Sequence, residues 1–297
     1  MIHIPVLKKE VLKSLDPKPN ENFIDATFGS GGHTLLILEK NGPKGKVLGI
    51  EWDPELLKIT KSKIKNKEFK KRLILAQGNF ADLKEIARKN NFKDVSGVLI
   101  DLGFSSWHIE KSNRGFTFQK NEELDMRFDP GSGITAKQIL NQWQEKKIEN
   151  ILKKYGEERF AKRIARNICQ KRKTKPINTT FELVKIIKES VPLWYQRQRI
   201  NPATRTFQAL RIAVNDELNN LKKCLPQALE VLKPNGRLAV ISFHSLEDRI
   251  VKNFFKEKSK QKLVKILFKK PIVPSREEIK KNPRSRSAKL RAVQKII

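Results

Sequence analysis

The chain has 297 residues, enough to bury a full hydrophobic core as one large domain or two smaller ones, and its 63 Lys and Arg against 32 Asp and Glu give a formal charge of +31. That charge is the electrostatic footprint of a protein that neutralises phosphates, so a nucleic-acid partner leads over the alternative of plain lysine decoration in runs such as Lys61 to Lys71. Cys169 and Cys224 are too few for a disulfide framework and too isolated for a cysteine zinc site, no apolar run reaches the roughly 18 residues of a spanning helix, and Met1 to Glu10 lacks an apolar signal-peptide core; a soluble protein of the reducing cytoplasm, with no membrane partner, is expected.

From about residue 22, short apolar runs alternate with helix-like stretches: Phe23 to Phe28, Val47 to Glu51, Leu73 to Ala76 and Val95 to Leu102. Four such strand-plus-helix units predict a parallel sheet covered by helices on both faces. Between residues 109 and 205 the rhythm changes to helical periodicity. Phe160, Ile164 and Ile168 recur every four residues, with Arg159, Lys162, Arg163 and Arg166 on the remaining surface. Residues 151–211 carry 16 Lys and Arg against four Asp and Glu, which reads as a basic helical insert. The α/β rhythm then resumes with a stripe through Phe207, Leu210, Val214, Leu218 and Leu221, a turn at Pro234-Asn235-Gly236, and a strand from Arg237 to Phe243. A helix from Ser245 to about Lys258 and strands near Leu263 to Phe268 and Leu290 to Ile296 complete the sheet, with Asn282 to Ser287 as a loop. The large domain, residues 1–108 and 206–297, is thus interrupted by the small one, 109–205.

The turn after the first strand reads Asp25-Ala26-Thr27-Phe28-Gly29-Ser30-Gly31-Gly32-His33-Thr34. Its glycines allow a tight strand-to-helix turn and let a ligand lie against the backbone. Glu51, 20 residues beyond Gly31, ends the second strand, where a carboxylate accepts hydrogen bonds from both ribose hydroxyls. An adenosine-containing ligand follows. The dinucleotide fingerprint G-x-G-x-x-G fails at Thr34, and Asp25 would repel a pyrophosphate but attract the amino group of a methionine moiety, so S-adenosyl-L-methionine is favoured over a nicotinamide dinucleotide. Asn79-Phe80 follows the third strand, where a residue can pack against or bond to the adenine ring, although a phenylalanine such as Phe80 is by itself more often core than cofactor contact. His33 and His108 have no partner at metal-ligand spacing, so no metal is expected.

The fourth strand ends in Asp101-Leu102-Gly103-Phe104, on the edge where doubly wound sheets bind ligands. An exocyclic cytosine amine is a poor nucleophile because its lone pair is conjugated with the ring. A carboxylate that holds its N–H groups turns the lone pair toward a sulfonium methyl, and Asp101 is the candidate, with backbone carbonyls near Leu102 and Gly103 assisting. Phe104, Trp107 and Phe116 offer faces for a splayed base, though each alone is better explained by core packing. His244 and Ser242 end the fifth strand on the same edge, within reach of RNA or the departing proton, and a helix N-cap at Ser245 is at least as good a reading.

Taken together, these motifs resemble the bacterial 16S rRNA (cytosine-N4) methyltransferases, which modify a cytidine in the decoding region. The resemblance runs from His3-Ile4-Pro5-Val6-Leu7 to Asn282-Pro283-Arg284-Ser285-Arg286-Ser287. It is most specific at Phe28 to His33, Asp101 to Ser106, Arg114-Gly115-Phe116, Leu124 to Arg127, Tyr155 to Ala161, Pro202 to Ala209 and Ser242 to Arg249. It implies a class I (Rossmann-like) S-adenosylmethionine-dependent methyltransferase sheet with a helical, basic RNA-recognition insert. It also implies cofactor contacts at Gly31, Gly32, His33, Glu51, Phe80, Asp101 and His108, a substrate in 16S rRNA or the small ribosomal subunit, and room for a homodimer. Glu51 stands where the family usually has Asp, and His108 where it usually has Gln.

Overall fold

In the computed structural model, which describes residues 5–297, the four apolar runs read from the sequence are strands β1 (Asn22–Asp25), β2 (Val47–Glu51), β3 (Leu73–Gln77) and β4 (Val95–Asp101). His3 and Ile4 of the opening motif lie outside the described residues. Later come β5 (Leu232–Ser242), β6 (Val264–Ile266) and β7 (Lys289–Lys295), giving a seven-stranded sheet in the order β3-β2-β1-β4-β5-β7-β6. The first five pair in parallel, but β7 runs antiparallel to both β5 and β6, so the sheet is mixed at this end.

Alternation along the strands divides the core between the two faces. Val98, Ile100, Leu238 and Val240 pack on one side with Leu221, Leu225, Val251 and Phe255 from the covering helices. Leu99, Ala239 and Ile241 pack on the other with Val11, Leu15, Ile37 and Leu38. Central strands buried on both sides are apolar along nearly their whole length, which is why β4 carries only Ser96 as a polar residue before Asp101.

The chain forms two compact units, one running to Phe104 and resuming over Leu218–Ile297, the other spanning Ser105–Glu217. The second is helical, with a core that includes Ile148, Leu152, Ile164, Ile168, Leu183, Ile187 and Leu210. Its helices start where side chains cap them: Thr135 and Gln138, and Thr179 and Glu182, form reciprocal capping boxes. The helices Glu145–Gly156 and Ala203–Asn215 cross so closely at Gly156 that an added Cβ would lie 2.6 Å from the Arg205 carbonyl.

One expectation fails at the return to the sheet. The stripe from Phe207 to Leu221 is two helices, Ala203–Asn215 and Glu217–Val231, separated by Asp216 in the left-handed region at φ 48°. Phe207 and Leu210 belong to the helical core, Leu221 to the sheet core. A four-residue apolar rhythm runs through both and does not register a change of partner.

Candidate active site

The carboxyl ends of β1, β2 and β4 bring Asp25, Glu51 and Asp101 to one edge of the sheet, with Asp25 level with Gly49 and Leu99 in the flanking strands. The strand order reverses between β1 and β4, the place where open α/β sheets bind ligands. Gly29 and Gly31 take positive φ (53° and 76°), and the helix Gly32–Lys40 starts immediately behind them. A side chain at Gly31 would also press on the Phe28 ring at 3.1 Å. No side chain caps that helix among the described residues, and a helix start of that kind presents backbone amides that suit an anion.

Glu51 is half-buried and accepts the Gly29 amide at 2.8 Å and the Asp53 amide at 2.9 Å. Burial pushes its carboxyl up to about 7, against the pull of the Asp53, Gly29 and Trp52 amides and with the Asp53 charge adding to the rise. Phe80, half-buried, opens a short 3-10 turn that Asn79 caps by accepting the Ala81 amide.

Asp25 departs from its expected role. It is 1% exposed, accepts the Thr34 hydroxyl at 2.7 Å and the Thr27 amide at 3.2 Å, and burial raises its pKa despite the Thr34 bond. It braces the glycine turn from beneath. Asp101 is tied in place by its own amide, which donates to Thr27 Oγ1 at 2.7 Å, and its side chain reaches His33 Nε2 at 3.6 Å. Two atoms in this pair, Asp101 Oδ1 and His33 Nε2, are buried with no hydrogen-bond partner among the described residues. Orphaned polar atoms at the end of a central strand are costly unless a ligand satisfies them. The sequence showed no metal spacing around His33 and therefore no partner for it; the turn brings it to Asp101, and no local signal marks that meeting.

His108 belongs to the helical unit, 3% exposed, where its Nδ1 meets the Ser105 hydroxyl at 3.0 Å in a capping box and its ring packs on Trp107, Phe116 and Phe128. Trp107 and Phe116 are each 8% exposed and serve as packing. Gly115 (φ 75°) donates its amide to buried Glu122, and Arg114 donates to the Arg127 and Phe128 carbonyls, so the Arg114 to Phe116 and Leu124 to Arg127 stretches brace one loop. The helix after β5 is capped by His244, not Ser245, with Glu247 closing the box. Asn282 to Ser287 is a 3-10 turn around fully buried Ser285.

The mixed seven-stranded sheet with its antiparallel β7, the glycine turn running into an uncapped helix and the acidic ends of β2 and β4 define a class I, S-adenosylmethionine-dependent methyltransferase. The family profile described as the MraW methylase family matches residues 1–296, and the chain belongs to that family. Among curated relatives, a protein of Heliobacterium mobile named ribosomal RNA small subunit methyltransferase H is 46% identical over 99% of both chains. A Sulfurihydrogenibium protein of the same name is 47% identical, again over 99% of each. A solved structure described as an rRNA methylase from Streptococcus thermophilus aligns with a TM-score of 0.45 at 10% identity, over 98% of this chain and 94% of that one.

Proposed function

We propose that the protein transfers the methyl group of S-adenosylmethionine to the N4 amine of a cytidine in the decoding region of 16S rRNA, acting in the cytoplasm on the small ribosomal subunit. In this reading residues 109–205 are an RNA-recognition insert between the two parts of the methyltransferase domain, 1–108 and 206–297. The observation that carries it is Asp101, whose unpartnered buried Oδ1 sits at the end of the strand beside the cofactor edge. The curated relatives, named for methylation of small-subunit rRNA, support the substrate class. No helix among the described residues is long and apolar enough to cross a membrane.

Bound S-adenosylmethionine supplies an electrophilic methyl on a sulfonium. Glu51 holds the ribose hydroxyls, the amides of Gly32 and His33 hold the carboxylate, and Phe80 lies on the adenine side. Asp101 accepts an N–H of the target amine and so turns its lone pair out of conjugation with the ring. The amine nitrogen then forms the new C–N bond as the S–CH₃ bond breaks, and Asp101 takes up the proton the nitrogen sheds.

The test is transfer of labelled methyl to small subunits from cells lacking the enzyme, read by nucleoside mass spectrometry. The expected product is N4-methylcytidine, lost in Asp101→Ala with S-adenosylmethionine binding still measurable. Absence of label on subunits and free rRNA would overturn the reading. A homodimer, also part of this reading, is tested by light scattering of the purified chain.

A further inference from the structure

The helical unit carries a surface that the methyl-transfer chemistry does not use. Phe160, at the start of the helix Ala161–Lys171, meets Tyr195 at 4.9 Å and Trp194 at 6.0 Å between ring centroids, and the latter two meet at 5.7 Å, nearly perpendicular. Tyr195 is the foot of the cluster: it is 6% exposed and its hydroxyl donates to both oxygens of buried Glu158, at 2.9 and 3.1 Å. Trp194 is the head, 50% exposed, between Leu193 at 68% and, further on, Ile200 at 48%. Arg159 lies over the Trp194 ring at 5.5 Å and the Phe160 ring at 5.9 Å, and Arg163 lies over Phe160 at 5.8 Å.

Charge gives the surface its direction. Arg159, Lys162, Arg163, Arg166, Arg197 and Arg199 are all exposed, and among the described residues none forms an ion pair. Nearby lysines of the same unit do: Lys153 with Glu149, Lys171 with Glu189, Lys175 with Glu182. An indole half in water costs free energy, and edge-on packing under a guanidinium keeps it there in one orientation. A second copy of this chain would bring the same unpaired cations to the contact, in a protein of net charge +31, and burying them without counter-charges is unfavourable. Single-stranded RNA supplies both what the arginines lack and what the indole lacks: phosphates, and unstacked bases with a π face.

We propose that Trp194, with Arg159 over its ring, Arg163 over the adjoining Phe160 and the exposed Arg197 and Arg199 just along the chain, is a docking surface for an unpaired segment of ribosomal RNA, with one base stacked on the indole and its neighbouring phosphates on the guanidiniums. The inference rests on the reading of RNA as substrate and goes beyond it by assigning the grip to a particular surface of the helical unit.

The experiment uses the full chain, a fluorescein-labelled single-stranded 12-mer RNA of mixed sequence and the corresponding duplex, with binding followed by anisotropy. Trp194→Ala should weaken single-strand binding roughly 5- to 100-fold, with Trp194→Phe recovering most of it. Arg159→Gln with Arg163→Gln should lower the salt slope of the binding constant by about 1.4, two phosphate contacts on a single strand. Trp194 being half-exposed, its Ala variant should keep the melting temperature and the S-adenosylmethionine affinity, and should raise KM for small subunits about ten-fold. Unchanged single-strand binding and unchanged KM in Trp194→Ala, with wild-type protein methylating subunits, would overturn this proposal alone. A concentration-dependent dimer that Trp194→Ala dissolves would also overturn it, by assigning the surface to a second copy. Failure of the wild type to methylate subunits would instead strike the functional reading on which it rests.

Discussion

In the α/β unit the ionisable groups that matter are few, buried or half-buried, and fixed by hydrogen bonds: Asp25 under the glycine turn, Glu51 held by backbone amides, Asp101 pinned through Thr27. In the helical unit they are many, exposed and, around Trp194, unpaired. A site that orients one amine against one methyl needs fixed lone pairs in low dielectric. A surface that grips a polyanion needs mobile cations in water, where each phosphate contact adds through counterion release. The same chain therefore places its acidic groups where the strands end and its basic groups where helices face solvent.

The sharpest break of this comparison is Asp101→Ala. Methyl transfer should fall roughly 10²- to 10³-fold while RNA binding is unchanged, as measured by single-turnover labelling beside anisotropy. Next is salt. Between about 50 and about 200 mM, affinity for small subunits should drop on the order of 10³-fold, whereas S-adenosylmethionine affinity measured by calorimetry should hardly move. Equal salt dependence of the two would erase the division of labour. In the cores, Ile100→Ala and Ile164→Ala, both fully buried, should each cost about 2–5 kcal/mol in denaturant melts. The first should weaken cofactor binding and the second RNA binding.

The smallest effect concerns Glu51, raised from 4.5 to about 7. The folded chain keeps a proton that the unfolded chain has released, so stability without cofactor declines as pH rises from about 4.5 to about 7 and then levels off. Ribose binding needs the ionised form, so S-adenosylmethionine affinity should climb about ten-fold between about pH 6 and about pH 8. Glu51→Gln should flatten both profiles, which thermal shift and calorimetry at stepped pH would show.

Much of the α/β unit was legible in the sequence because burial on both faces forces each parallel strand to be an apolar run, and because a glycine turn followed by an acidic strand end at the right distance has a physical reason to exist. On those grounds the turn through Gly29 and Gly31 and the strand ends at Glu51 and Asp101 could be placed on one edge of the sheet. Asp25 could be found but its role could not, since a carboxylate at a strand end reads alike whether it faces a ligand or, as here, Thr34 and the Thr27 amide. The same limit applied at the helix after β5, where His244 and Ser245 are both competent caps and only the chain path selects the first.

What the sequence by itself determined is therefore everything governed by local period and composition: the strands, the interrupted layout, the charge of the insert and the family resemblance. Tertiary structure alone decided which distant groups meet and which neighbours part. It set His33 beside Asp101, gathered Arg159 over Trp194, and split one helical stripe at Asp216 between two cores. Periodicity reports that a residue is buried or exposed, whereas the identity of its partner depends on the path of the whole chain.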